Sequence, residues 1–231
     1  LWRASWRTLA ANRPFLRLLT AFVLNGIANG LPATLFVLYV RYVLEAPQWT
    51  GPLLLVYFLA GALGLPLWVR IARHREKHKV WALSMVWASI AFLWVPALGS
   101  GDTTAFLVIC LLSGLSLGAD MALPAAMQAD VLDYDRARGE ERPALLFGLW
   151  AMAVKLALAL AAGIALPLLE WTGFRAGAVN TPTALTALAL LYGLLPVLLK
   201  LGAVSLVWQF PVGRRWHHAF HTQPASHSAA G

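Results

Sequence analysis

The chain has 231 residues, of which 60% are hydrophobic and only 12% are charged, and its formal net charge is +8. A soluble globular domain carries about a quarter charged residues, so this composition excludes that class of protein. The positive charge does not indicate a nucleic-acid partner, because the basic residues lie in clusters between long apolar segments.

Six apolar segments are each long enough to cross a hydrocarbon core of about 30 Å, which takes roughly 20 helical residues. The predicted fold class is therefore all-α, a polytopic membrane protein with six transmembrane helices. The predicted spans occupy approximately residues 18–40, 52–69, 80–98, 104–129, 144–169 and 184–208.

The chain divides into three predicted regions. Residues 1–17 mix aromatic, basic and apolar side chains, which is typical of an amphipathic cytoplasmic lead-in at the membrane surface. Residues 18–210 form the helix bundle, and residues 211–231 are rich in His, Ser, Ala and Gly and are predicted to be a disordered cytoplasmic tail. A short motif in the first span recurs weakly in the fourth, which favours two inverted three-helix repeats over about 18–98 and 104–210.

The distribution of Lys and Arg predicts the orientation in the membrane. Basic residues precede the first span, fill the second and fourth connections and follow the last span, whereas the other connections hold only Arg41 and Arg175. Positive residues mark the cytoplasmic side, so both termini are predicted to be cytoplasmic. The predicted location is the cell membrane, the inner membrane in a bacterium.

Three residues are candidates for binding a substrate. Asn25 and Asn29 lie one helical turn apart in the first span, so their amides share a face. Amides both donate and accept hydrogen bonds, which suits a polyhydroxylated substrate, although hydrogen bonding between helices explains the pair equally well. Trp150 in the fifth span could stack on a sugar ring, but lipid contact or packing is the commoner role of such a residue.

Asp120 in the fourth span and Lys155 in the fifth are charged residues at bilayer depth. A charge at the bilayer centre costs about 2.5–3.5 kcal/mol on insertion scales. Both residues are equally far from a connection centred near residue 137, so an antiparallel hairpin places them at the same depth. We predict an ion pair that couples a cation or substrate to transport, with a static salt bridge as the alternative. Lys200, nearer the cytoplasmic end of the sixth span, is predicted to snorkel to the interface.

The segment from Asp130 to Arg142 mixes acids and bases densely and is predicted to be a cytoplasmic connection. Asp130, Asp133, Arg138 and Arg142 are expected to form an ion-pair network that holds one state of a cytoplasmic gate. A solvated loop without such a role is the alternative.

Several short motifs follow one another along residues 10–212: Asn12-Arg13-Pro14-Phe15, Leu24-Asn25-Gly26-Ile27-Ala28-Asn29-Gly30-Leu31-Pro32-Ala33-Thr34, Leu65-Pro66-Leu67-Trp68, Gly118-Ala119-Asp120, Ala129-Asp130-Val131-Leu132-Asp133-Tyr134-Asp135, Phe147-Gly148-Leu149-Trp150 and Lys155. Together they resemble the C-terminal half of the glycoside–pentoside–hexuronide:cation symporter family, the melibiose permease-like branch of the major facilitator superfamily. The resemblance implies two pseudo-symmetric halves that rock about a central site for sugar and cation. It also implies that Lys155 lies beside the cation and sugar sites, that Asp130 and Asp133 form the acidic end of the fourth span, and that the cation-binding carboxylates lie mainly on an N-terminal half.

The sequence therefore predicts the C-terminal half of a transporter that moves a sugar, a glycoside or another solute such as a lysolipid together with Na⁺ or H⁺. The expected partners are the solute, the lipid bilayer, and a missing N-terminal six-helix half or a homodimer mate. A non-transporting or decayed half-transporter that acts as a structural partner in the membrane is the alternative. No cofactor besides the coupling cation, no metal site and no enzymatic activity is predicted, because the sequence has one cysteine, no HExxH motif and no nucleotide-binding loop.

Overall fold

The computed structural model describes residues 12–137 and 143–211, and within them the chain forms long helices joined by short connections. In order, these helices are α1 (Arg13–Tyr42), α2 (Thr50–His74), α3 (Lys77–Phe92), α4 (Thr103–Ala137), α5 (Pro143–Trp171) and α6 (Pro182–Val207). Short 3₁₀ helices at Pro47–Trp49 and Val95–Ala97 precede α2 and follow α3. When these 3₁₀ helices are counted with α2 and α3, all six helical segments are long and apolar enough to cross a membrane, so the predicted all-α, polytopic fold class is confirmed.

The first helix begins inside the segment predicted to be a lead-in. Asn12 caps α1, since its side-chain oxygen accepts a hydrogen bond of 3.0 Å from the backbone N–H of Phe15. Pro14 in the first turn supports this start, because a proline there loses no helical hydrogen bond. Residues 13–17 therefore belong to a membrane-spanning helix, while residues 1–11 and 212–231 lie outside the described part of the chain.

Helix α4 extends well past its predicted end at residue 129. The segment that follows Asp130 is helical to Ala137, so the prediction of a loop there is wrong. Val131 and Leu132 are buried in the core, which stabilises this last part of the helix. Residues 138–142 lie outside the described residues.

Helices α2 and α4 approach so closely that only glycine fits between them. A Cβ atom added to Gly64 would lie 2.1 Å from the backbone oxygen of Leu115, and one added to Gly118 would lie 2.2 Å from the backbone nitrogen of Leu65. Trp68 also donates its indole N–H to the backbone oxygen of Leu115 at 2.9 Å. Such close backbone contact is the usual way in which membrane helices associate.

Helix α5 packs along α1 through a second set of small residues. A Cβ on Gly26 would lie 2.8 Å from the Cβ of Ala157, and one on Gly30 would lie 2.5 Å from the Cβ of Ala161. α5 makes few other contacts, and in particular it forms no extended contact with α4, the described helix that precedes it. Most of the surface of α5 is therefore exposed in this chain.

The buried apolar residues form two clusters, one toward each end of the bundle. The first includes Leu35 of α1, Phe106 of α4 and Tyr192 of α6. The second includes Phe15 of α1 and Met127 of α4. Polar residues of α1, α4 and α6 lie near the boundary between these clusters, and they form the candidate site.

Candidate functional site

Asp120 lies at the centre of the polar layer, and its side chain is only 11% exposed. Its Oδ1 accepts hydrogen bonds from Asn25 Nδ2 at 2.9 Å and from Trp81 Nε1 at 2.7 Å. Its Oδ2 accepts a hydrogen bond from Asn29 Nδ2 at 2.8 Å. Three N–H donors thus solvate a carboxylate that has left water, and without them its burial would be very costly.

Lys200 of α6 is 3% exposed and completes the layer. Its Nζ donates hydrogen bonds to Asn25 Oδ1 and to Asn29 Oδ1, both at 2.7 Å. The same Nζ lies 3.7 Å from Asp120 Oδ2, which is an ion pair without a direct hydrogen bond. Each asparagine therefore bridges the two charges, because its amide donates to the carboxylate and accepts from the ammonium.

We refer to these five residues as the Asp120–Lys200 cluster; they are Asn25, Asn29, Trp81, Asp120 and Lys200. The helical repeat explains how α1 supplies two of them, because residues four apart share a face. Gly26 and Gly30 follow the two asparagines by one residue and lie against α5. One side of α1 therefore packs against α5 through its two glycines, and another side contributes its two asparagines to the cluster.

A cavity of about 280 Å³ lies beside the cluster. At one end it is lined by Asn29, Asp120 and Lys200. Two serines also line it, but the hydroxyl of each donates to a backbone oxygen of α4 itself. The charged and amide groups are thus confined to one end, while the rest of the wall is largely aromatic and aliphatic, including Phe36, Leu54, Tyr57, Phe92, Phe106 and Tyr192.

The predicted ion pair between Asp120 and Lys155 is wrong, because Asp120 pairs with Lys200. Lys155 is exposed on α5, on the side of the helix away from Ala153 and Ala157, which are buried. It has no ion-pair partner among the described residues. Asp120 and Lys155 were expected to pair because they lie at equal depth. However, α4 and α5 do not pack side by side, and the direction in which a side chain points around its helix does not follow from its depth.

The prediction that Lys200 snorkels to the membrane interface is also wrong. The ammonium stays inside the bundle because two amide oxygens and a carboxylate replace its water. The rule that a charge within a span is a candidate site residue, applied to Lys155, would have found Lys200 as well. Trp81 gave no comparable signal, since an indole in an apolar span is usual.

The structure brings Asn25 and Asn29 into contact with Asp120, a grouping that was not predicted from the sequence, and the coupling role of Asp120 stays a prediction. Trp150 instead stacks on Phe22 of α1, with ring centroids 4.1 Å apart, and it is not part of the cavity wall. The hydrogen bonds of the two asparagines join helices, whereas their contact with a substrate stays a prediction.

The predicted gate residues are distributed differently from the expected network. Asp130 accepts two hydrogen bonds from Lys77 Nζ, at 2.7 and 2.8 Å, which ties α4 to the start of α3. Asp133 is exposed and pairs with Arg136 of the next turn at 3.3 Å. Arg138 and Arg142 lie outside the described residues. The gating role of all four residues stays a prediction.

A buried hydrogen bond between Asn12 and Asp135, near the end of α4, was not predicted from the sequence. Asp135 is 3% exposed and accepts a hydrogen bond of 3.0 Å from Asn12 Nδ2, so that the residue that caps α1 also holds the end of α4. Within the described residues no group of three or more His, Cys, Asp or Glu side chains could hold a metal ion.

Six helices that can cross a membrane, with a buried ion pair and a cavity between them, define a polytopic helical membrane protein. The chain matches the MFS/sugar transport protein family over residues 1–214 and belongs to that family. The resemblance found in the sequence motifs is therefore confirmed, and the fold is that of a family of transporters rather than enzymes.

The chain is similar to proteins named as transporters of lipids and to a homolog of a glucuronide carrier. It is 24% identical over 213 residues to the human sodium-dependent lysophosphatidylcholine symporter 1, covering 89% of this chain and 38% of the relative. It is 24% identical over 205 residues to the sphingosine-1-phosphate transporter MFSD2B of Xenopus tropicalis, covering 86% of this chain and 39% of the relative. It is 25% identical over 213 residues to the glucuronide carrier protein homolog of Escherichia coli K12, covering 90% and 46%. The chain thus spans less than half the length of these relatives.

Proposed function

We propose that the chain forms the C-terminal half of a secondary transporter in the cell membrane and that its cavity takes an amphiphilic solute. The shape and chemistry of the cavity carry this proposal. Its charged and amide groups lie at one end, beside Asp120 and Lys200, and its walls are otherwise aromatic and aliphatic. A solute with a polar headgroup and an apolar tail matches that division, because few precisely placed polar groups orient a ligand in a mostly apolar pocket.

The size of the cavity limits how much of such a solute it would hold. Its volume of about 280 Å³ is near the lower end of ligand pockets, which start at about 300 Å³. The headgroup would lie near Asn29 and Lys200, with the first part of the tail against Phe36 and Phe106. The rest of the tail would extend toward lipid or the other half. Lysophosphatidylcholine and sphingosine 1-phosphate, named for two of the relatives, are amphiphiles of this kind.

A sugar or glycoside, coupled to Na⁺ or H⁺, is the second candidate substrate. It is supported by the family description and by the similarity to a glucuronide carrier homolog. The amides of Asn25 and Asn29 could bind hydroxyl groups, but both already bridge Asp120 and Lys200. The largely apolar wall offers few further hydrogen bonds, and for this reason the amphiphile ranks first.

We propose that a second half covers the exposed side of α5. Lys155 lies on that side, and a lysine at bilayer depth costs about 2.5–3.5 kcal/mol unless it finds a partner or reaches the interface. An N-terminal half, or a second copy of this chain, would supply the partner, and Lys155 would then contribute to coupling with the cation. In this arrangement both termini would be cytoplasmic, and the Lys77–Asp130 contact would belong to the cytoplasmic gate.

A photoactivatable lysophosphatidylcholine tests the proposed substrate class. The purified chain in nanodiscs is labelled with it, and specific labelling is the part that excess unlabelled lysophosphatidylcholine removes. Val37→Trp should lose most of the specific labelling, because Val37 lines the cavity and is 54% exposed, so the larger side chain fills the cavity without entering the core. Val108→Trp is the matched control, since Val108 is 50% exposed and lies outside the cavity wall.

The outcome separates the two candidates. Equal labelling of both variants would contradict an amphiphile in this cavity. Binding of a labelled glucuronide that Val37→Trp abolishes, with no specific lysolipid labelling in the parent chain, would favour the sugar candidate.

A further inference from the structure

We propose that the Asp120–Lys200 cluster is a monovalent-cation site whose resident cation is the ammonium group of Lys200. Two amide oxygens, those of Asn25 and Asn29, contact Nζ at 2.7 Å, and Asp120 Oδ2 lies 3.7 Å from it. Oxygens of carboxylates and amides are the ligands that hard metal cations use in proteins. The ammonium carries the same single positive charge as Na⁺ or K⁺, so the lysine fills the position of a free ion.

The oxygens are aimed at this position by contacts that do not involve Lys200. The Nδ2 atoms of Asn25 and Asn29 both donate to Asp120, which leaves each Oδ1 turned toward Nζ. Trp81 donates to Asp120 Oδ1, so the carboxylate is held from a third helix. If the ammonium were removed, the same three oxygens would still surround its place.

Without the ammonium of Lys200, the charge of Asp120 would destabilise the folded chain. With Lys200 present, its charge and that of Asp120 cancel. Without it, an almost buried carboxylate would remain uncompensated, and leaving a buried charge unpaired is strongly unfavourable. One monovalent cation would restore neutrality. The cavity gives that ion access, because Asn29, Asp120 and Lys200 all line it, and it has room for water to complete the coordination.

The site shares Asn29 and Lys200 with the place proposed for the headgroup of the solute, but the binding of a cation to these oxygens does not depend on which solute the cavity takes. In the parent chain the tethered ammonium would exclude free Na⁺ and K⁺ from these oxygens. Any ion that binds here must therefore first displace Lys200.

Thermal unfolding of the purified chain in detergent tests the site. Lys200→Ala is compared with the parent in NaCl, KCl and N-methylglucamine chloride at equal ionic strength. The variant should melt about 3 °C or more higher in NaCl or KCl than in N-methylglucamine chloride, because an ion that binds only the folded state raises the Tm. The parent should show no such difference. Lys155→Ala, which removes the exposed lysine of α5, should behave like the parent.

A double variant and a folding criterion complete the test. Lys200→Ala combined with Asp120→Asn should lose the dependence on Na⁺ or K⁺, because no carboxylate remains. A Lys200→Ala protein that folds only in Na⁺ or K⁺ would also support the site. Equal melting in the three salts would overturn it, as would an unchanged response of the double variant. If Lys200→Ala folds in none of the salts, Lys200→Ser is measured in its place, and its failure to fold in all three would likewise overturn the site.

Discussion

Two lysines within membrane spans differ in almost everything except their sequence context. Lys200 is 3% exposed and contacts oxygens of three side chains from α1 and α4. Lys155 is exposed, and no described residue forms an ion pair with it. The difference arises from the helices that carry them, since α6 packs along α1 and also against α3, whereas α5 packs mainly along α1. A charge in a span is therefore neutralised where several helices converge on it, and it remains exposed where its helix has few neighbours.

Removing the partner of the buried lysine should have the largest effect. Asp120→Ala leaves the ammonium of Lys200 buried without a counter-ion, which typically costs about 3–5 kcal/mol. We expect the free energy of unfolding of the chain, measured in mixed micelles by denaturant titration, to fall by that amount. Asp133→Ala is the control, because Asp133 is exposed and its loss should change stability by about 0.5 kcal/mol or less. A loss below about 1 kcal/mol for Asp120→Ala would contradict a tightly coupled cluster.

A smaller effect is expected where α5, the helix of the exposed lysine, joins the bundle. Gly30→Ala forces a Cβ against that of Ala161, at 2.5 Å in the present geometry, so α1 and α5 must separate. Overpacking of this kind costs about 1–3 kcal/mol and should appear as a lower Tm. Gly148→Ala on α5 is the matched control, because no atom lies within 4 Å of its added Cβ, and it should be neutral or slightly stabilising. Equal Tm values for the two variants would show that the small-residue contact does not hold α5.

The Lys77–Asp130 ion pair near the end of the bundle should contribute less to stability than the Lys200–Asp120 pair within it. Lys77 is 37% exposed at its side chain, so water competes for its contact with Asp130. Lys77→Ala should therefore lower the free energy of unfolding by about 1 kcal/mol or less, and added salt should reduce the difference. A loss as large as that of Asp120→Ala would remove the distinction between buried and half-exposed pairs in this protein.

The smallest effect on stability is expected for the exposed lysine. Lys155→Ala breaks no ion pair with a described residue. The free energy of unfolding of the chain should therefore change by about 0.5 kcal/mol or less, and the Tm should change little. In a complete transporter, the proposed coupling role predicts that the same change abolishes cation-driven accumulation while membrane insertion is retained. Normal accumulation by that variant, measured with radiolabelled solute, would exclude Lys155 from coupling.

The number and approximate bounds of the helices could be predicted from the sequence, because a run of about 20 apolar residues is a local signal. The end of α4 could not, since Asp133 and Arg136 lie on the exposed side of a helix that buries Val131, and the buried Asp135 is held by Asn12, far away in sequence. Selecting Asn25, Asn29 and Asp120 rested on their polarity in apolar spans, which is also local.

The partner of Asp120 required information that one helix does not contain. Depth can be counted along the chain, but which helices are neighbours depends on packing between small residues far apart in sequence, such as Gly30 and Ala161. The same holds for the cavity, whose aromatic wall comes from several helices. The sequence around each of its aromatic residues does not show that the residue lines a cavity.

The bridging amides of Asn25 and Asn29 have a mechanical consequence. Their hydrogen bonds join α1 to α4 and α6, and the hydrogen bond of Trp81 adds α3, so the cluster connects these four helices at one level of the bundle. A slide of α1 by a single residue, about 1.5 Å, would pull both amides away from their two charged partners. No residue of the cluster lies on α5, which is held to α1 by contacts of glycine with alanine and by the stacking of Trp150 on Phe22. A shift of α5 against these four helices would therefore break none of the hydrogen bonds of the cluster, whereas a shift of α1 against α4 or α6 would break several.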